Sequence, residues 1–243
     1  MPILNIPPFN SGAFNAVNVI YRGPVNNWTS IRNATTGTGT YTAGNANPAI
    51  KIEVAAGARG NSYYINRIWA WYDVAGAGYP AGASINSLDL NIATSTSPGI
   101  PIGDIMVVEG FAFGNNSNAI ASTSEFGDLD FNQNYLNAQG AWNNSFTTNT
   151  YSLNSTARNF VVANGYLGVC IIDYNYDYQD VDPYGGFNFS LYNTIDFNNV
   201  TKCTLQVNYT AAGYGNEVNG IAGASIDQIN GLSSADINQV NGL

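Results

Sequence analysis

Carboxylates and amides crowd one stretch, IIDYNYDYQDVDPYGG, where Asp173, Asn175, Asp177 and Gln179 alternate with Tyr174, Tyr176 and Tyr178 before Asp180 and Asp182 follow. Oxygen donors at close quarters are what calcium takes. The opening imitates the D-x-N-x-D start of an EF-hand loop, and there the imitation stops. Tyr178 stands where that loop needs glycine and Tyr184 where it needs the last glutamate, and no helices flank the stretch. In an extended chain alternate side chains stand about 7 Å apart, too far for one ion without a bend. Asp173, Asn175, Asp177, Asp180 and Asp182 are thus a candidate calcium set if the segment bends, and a solvated edge or an interface if it does not.

Other chemistry finds few residues to work with. There is no histidine among the 243 residues, which removes the commonest catalytic base and zinc ligand together. Asp104, Glu109, Asp128 and Asp130 could supply a glycosidase pair only if folding brought two of them across a cleft. No serine lies in a G-x-S-x-G context, so the sequence reads as non-enzymatic. Cys170 and Cys203, the only cysteines, both lie in apolar strand-like runs. They read as two small buried residues or, if their strands are neighbours, as a disulfide. Aromatic rings offer a binding alternative. Trp28 and Trp142 sit beside Asn pairs, and with Tyr176 and Tyr178 they are candidates for stacking on sugar rings at the surface. The competing reading of the same rings is core packing.

The net charge of -9 rests on 16 acidic and seven scattered basic residues, with no basic stripe, so no nucleic-acid partner is expected. Only 9% of residues are charged, against roughly 25% in an ordinary domain. Such a surface offers little repulsion between copies. No segment has the length of a membrane span, and MPILNIPPFNSG lacks the basic start of a signal peptide.

The elements that must position these residues read mostly as strands. Runs rich in Val, Ile, Tyr, Phe and Trp fall at 16–22, 28–32, 50–55, 62–74, 84–92, 104–113, 147–153, 159–162, 167–174, 187–191 and 203–210. In the last run Leu205, Val207 and Tyr209 share one face and Gln206 and Asn208 the other, the mark of a half-buried strand. One or two helical turns are expected within 125–136. The fold class expected is all-β: an antiparallel two-layer β-sandwich spanning 13–210, preceded by an extended arm at 1–12 that holds Pro2, Pro7 and Pro8.

Residues 211–243 form a third region. VNGIAGASIDQ, INGLSSADINQ and VNGL repeat with a period of eleven residues. The Asn-Gly pairs are turn signals, because glycine adopts positive φ freely and Asn tolerates it. Two and a third units are too few to close a solenoid core. Val218, Ile221, Ile226, Ile229, Leu232, Ile237, Val240 and Leu243 therefore need another surface, on the parent domain or on a neighbouring subunit.

Several stretches carry a family likeness. RIWAWYDVAGAGYPAGASINSLDLN, at 67–91, resembles a strand followed by D-[TV]-x-G and I-x-S-A-x-L-x-[LI] in jelly-roll sandwich domains of the DNRLRE-like group, with Leu88 where that pattern has Ala. GDIMVVEG and FGDLDF are similar to the next strand and short helix of those domains. GYLGVCIIDYNYDYQDV is similar to their late strand with its D-Y-D-Y run, and CTLQVNY to their closing strand. The repeats resemble V-N-G-[VI]-x-x-A-x-I units that end structural proteins of tailed, especially marine, bacteriophages. What the resemblance implies is a jelly-roll virion component of a capsid, neck or tail. Such a protein would be made in the host cytoplasm without a signal peptide and assembled as a homo-oligomer with other virion proteins. The alternative expectation is an extracellular glycan- or cell-surface-binding module, stabilised by calcium if by any ion.

Overall fold

A computed structural model describes residues 2–8, 16–24, 28–42, 49–56, 62–93, 103–110, 123–143, 148–183, 189–196, 204–212, 228–229 and 232–233. In chain order its strands are β1 (Ile3–Ile6), β2 (Ala16–Pro24), β3 (Gly39–Thr42), β4 (Ala49–Ala56), β5 (Ser62–Asp73), β6 (Ser84–Ala93), β7 (Asp104–Gly110) and β8 (Leu129–Asn134). They continue with β9 (Gly140–Ala141), β10 (Thr148–Ser152), β11 (Tyr166–Asp173), β12 (Phe189–Asp196), β13 (Leu205–Thr210), β14 (Gln228–Ile229) and β15 (Leu232–Ser233). Two α-helices, α1 (Trp28–Arg32) and α2 (Ser155–Asn164), join a 3-10 turn at Thr123–Gly127 and a π-helical turn at Tyr174–Tyr178.

The larger sheet has nine strands, ordered β12-β4-β5-β11-β7-β8, with β2 on β5, β3 on β2 and β9 on β7. The smaller sheet runs β1-β13-β6-β10. Both contribute to one core, in which Ile65, Trp69 and Ile171 of the larger sheet join Leu88, Leu90 and Val207 of the smaller. Neither sheet is closed or curled, and helices are part of the framework. The chain is therefore mixed α/β with two open sheets, which overturns the expected all-β jelly-roll β-sandwich and the likeness to the DNRLRE-like group. The description as a pure capsid or tail β-sandwich fails for the same reason.

Local chemistry explains the misread segments. Residues 28–32, expected as strand, form α1, because Trp28, Ile31 and Arg32 at helical spacing are the positions that become buried. Residues 159–162 look β-rich in NFVV, yet they lie inside α2. Asn154 caps that helix by accepting from Ala157 N at 3.2 Å, and Gly165, at φ 75°, donates its N–H to Val161 O at 2.8 Å. A stronger pair of end signals outweighs a short β-branched run. The helix expected within 125–136 shrinks to the 3-10 turn, after which Leu129–Asn134 pairs as β8. Part of the expected arm is β1, which pairs antiparallel with β13 from Ile3↔Asn208 to Ile6↔Leu205.

The centre of the larger sheet is the twelve-residue β5. Along one edge it pairs with β2 from Ser62 to Ala70. On the other edge it changes partner: Tyr63–Asn66 pair with β4, and Ile68–Asp73 with β11. Arg67 stands at the changeover.

Two glycines allow β7 to end tightly against β11. A Cβ on Gly110 would sit 2.8 Å from Val169 C and 3.0 Å from Cys170 N, and one on Gly168 would sit 2.5 Å from Gly110 O. These obstacles are backbone and cannot rotate away. Gly110→Ala is expected to cost about 1–3 kcal/mol through overpacking. Gly39→Ala, which meets nothing within 4 Å, is the control. Thermal melting followed by circular dichroism should lower the midpoint for the first and leave the second near wild type.

Candidate functional site

The acidic stretch does bend. β11 pairs with β7 as far as Asp173↔Ile105, and the chain then leaves the sheet in the π-helical turn. Asp173 caps that turn, its Oδ1 accepting from Tyr176 N at 2.6 Å and Asp177 N at 3.4 Å. The turn brings Asp177 back to the changeover point of β5. Arg67 Nε donates to Asp177 Oδ2 and Nη2 to Oδ1, each at 2.8 Å, a bidentate pair with both side chains almost fully buried. The same guanidinium donates from Nη1 to Phe126 O at 2.8 Å and from Nη2 to Arg32 O at 2.7 Å. One cation thereby ties β5, the π-helical turn, the 3-10 turn and α1.

A second arginine completes the cluster. Arg32 Nε donates to Asp177 O, and Nη2 to Tyr178 O at 3.2 Å. Its Nε also lies 3.8 Å from Asp177 Oδ1 and 3.8 Å from the half-exposed Asp180. Burial pulls the Arg32 guanidinium below its ordinary value, against the opposing pull of Asp177 and Asp180. Aromatic faces line the arginines: Arg32 Cζ lies 3.9 Å from the Phe131 ring centre, and Arg67 Cζ 4.2 Å from that of Phe126.

The candidate calcium ligands are therefore turned to other partners. Asp177 faces Arg67, Asp173 faces the turn's own N–H groups, and Asp182 Oδ1 accepts from Tyr63 OH at 2.5 Å. Asn175 is exposed, and the exposed Asp180 lies beside Arg32. Among the described residues no three His, Cys, Asp or Glu side chains gather where they could hold a metal ion.

The acid pair that sequence could not assemble does form in part: Glu109 of β7 and Asp130 of β8 are direct cross-strand partners. Burial, with Asp130 second, raises the Glu109 carboxyl above its ordinary value. Asp104 lies on β7 and Asp128 is exposed just before β8.

Of the rings proposed for surface binding, Trp28 is 4% exposed and packs edge-on to Tyr63 with centroids 5.3 Å apart. Trp142, Tyr176 and Tyr178 are half-buried, and Tyr178 stacks on Tyr174 at 5.6 Å. Cys170 is a buried thiol, and burial pushes it well above its ordinary value. Cys203 lies outside the described residues. So do Val218, Ile221, Ile226, Ile237, Val240 and Leu243. Ile229 of β14 and Leu232 of β15 are cross-strand partners, and Asn230 and Gly231 lie outside the described residues.

Sequence reasoning missed Arg67 and Arg32. The signal was present: Arg67 alternates with Trp69 and Trp71 on one face of a strand, and a lone charge on an aromatic face needs a buried counter-charge. No helix among the described residues is long and apolar enough to cross a membrane. No protein-family model matches this chain, and no curated protein matches it.

Two predictions follow from the cluster. Asp177→Asn leaves two buried guanidiniums without their shared counter-charge and is expected to cost about 3–5 kcal/mol in urea unfolding. Asp173 behaves differently. Its Oδ2 is buried without a hydrogen-bond partner, and burial, partly offset by the bond from Tyr176 N, raises the carboxyl from 3.8 to about 7. The native state thus holds a proton that the unfolded chain releases, so this group's stabilisation is full below pH 3.8 and declines until about pH 7. Asp173→Asn keeps an accepting oxygen and never ionises. Urea unfolding should find it more stable than wild type at pH 8, by a few kcal/mol at about 1.36 kcal/mol per pH unit, with the difference vanishing near pH 4.

Proposed function

We propose that this is a non-enzymatic structural protein that docks on neighbouring subunits through its C-terminal repeats, as a component of a virus particle. The observation that carries the reading is the position of the repeats relative to the fold. The last strand of the two main sheets, β13, ends at Thr210, and the eight apolar repeat positions all come later. Two and a third units of eleven residues are too few to close a core around eight such side chains. Each would contribute about 1.5–3 kcal/mol, before ordering costs, on reaching a water-excluding surface. Neighbouring copies and other particle proteins are the partners that offer many equivalent surfaces.

The chemistry of the globular part agrees. Its most elaborate polar cluster spends its charges on holding four segments together. The outer face of the smaller sheet carries Asn5, Gln206, Asp89 and Ser152 in one cross-strand row. A face so poor in charge resists close approach of a second copy very little. The glycan-binding alternative retains the half-buried Trp142, Tyr176 and Tyr178 but loses Trp28 to the core.

Removing residues 216–243 tests the reading. The truncated chain is expected to keep its melting midpoint and circular dichroism while losing oligomerisation in sedimentation velocity. Undiminished assembly of the truncated chain would overturn it.

A further inference from the structure

The edge strand β1 has features that its place in the smaller sheet does not require. Among the described residues it pairs with β13 alone, through Ile3↔Asn208, Leu4↔Val207, Asn5↔Gln206 and Ile6↔Leu205. Beyond those pairs, two hydrogen bonds to described residues hold it. Pro2 O accepts from Tyr209 N at 3.2 Å, and Gln206 Nε2 donates to Asn5 Oδ1 at 3.1 Å. Of its four side chains only Ile6 is fully buried, Leu4 is half-buried, and Ile3 is 52% exposed. Pro2, Pro7 and Pro8 bracket it, and none of them has an N–H to give to the ladder. The next strand, β2, belongs to the other sheet, and seven residues separate Pro8 from Ala16. That length of chain can reach roughly 25 Å when extended.

We propose that β1 is an exchange arm, which in the assembled state leaves its own β13 and makes the same four pairs on β13 of a second copy. The inference rests on the assembly reading above and says how copies are joined. Its energetic basis is symmetry. Ladder bonds and the Ile6 pocket are identical within one chain and between two, so exchange costs little beyond the entropy of association. Once the repeats hold copies side by side, the neighbour's strand is present at an effective concentration in the millimolar range, and that remaining cost falls. Copy and partner carry the same neutral amides at the contact, Asn5 against Gln206, so no charge opposes the swap.

Two chains of different mass test this, both in a Cys203→Ser background. One carries Asn5→Cys and the other Gln206→Cys. Directly opposed residues of an antiparallel pair stand about 4.5–5.5 Å apart at Cα, within disulfide range. After co-assembly and mild oxidation, non-reducing electrophoresis is expected to show the mixed covalent dimer as the main cross-linked product. A single chain carrying both substitutions, kept dilute and lacking residues 216–243, should close only within itself. Exchange is overturned if sedimentation shows assembled material, the double variant cross-links internally, and the mixed dimer does not form. If full-length chains never assemble in sedimentation, the assembly reading falls and exchange falls with it.

Discussion

A single buried ion pair governs how this fold is held together. Arg67 lies at the one residue of β5 where the sheet changes partner from β4 to β11, and such a junction leaves room for a long side chain. The π-helical turn after β11 returns Asp177 to that place, and the backbone carbonyls of Arg32 and Phe126 complete the guanidinium's environment. Replacing such a pair with apolar residues often costs nothing, whereas removing one member costs several kcal/mol. Its value here is geometric. A hydrophobic contact would tolerate α1, the 3-10 turn and the π-helical turn in several relative positions, while a planar fork with four bonds tolerates one.

How much of this was legible in the sequence depends on the length of each signal. β5, β6, β7, β11 and β13 were readable because their runs of Val, Ile, Leu and aromatic residues are long and bounded. α1 and α2 were not, since WTSIR and NFVV contain rings and β-branched residues, and the deciding features are caps and spacing a few residues away. β1 was hidden between prolines and becomes a strand only because β13 offers an edge. The overall fold failed for a related reason. Motif order along the chain reports which strands occur, not how they are distributed between sheets, and that distribution separates two open sheets from a jelly roll.

The acidic stretch shows the same limit at the scale of a site. Residue types and a D-x-N-x-D opening pointed to oxygen ligands around a cation, and the segment bends as that chemistry requires. One of those carboxylates, Asp177, meets a guanidinium from 110 residues earlier in the chain. Composition identifies a concentration of negative charge; only tertiary structure identifies what neutralises it. Glu109 and Asp130 make the complementary point, since cross-strand register brings together two acids with nothing in common in sequence.

Arg67 also bears on the order of events when the chain folds. Its four bonds link segments near residues 32, 67, 126 and 177, so each requires a large loop to be closed first. Contacts of such span carry a large loop-closure entropy and raise the contact order of the fold. Interactions absent from the transition state act on the unfolding rate rather than the folding rate. If the buried fork closes only after the transition state, it acts as a kinetic latch, which sets how long a finished molecule lasts more than how quickly it is made.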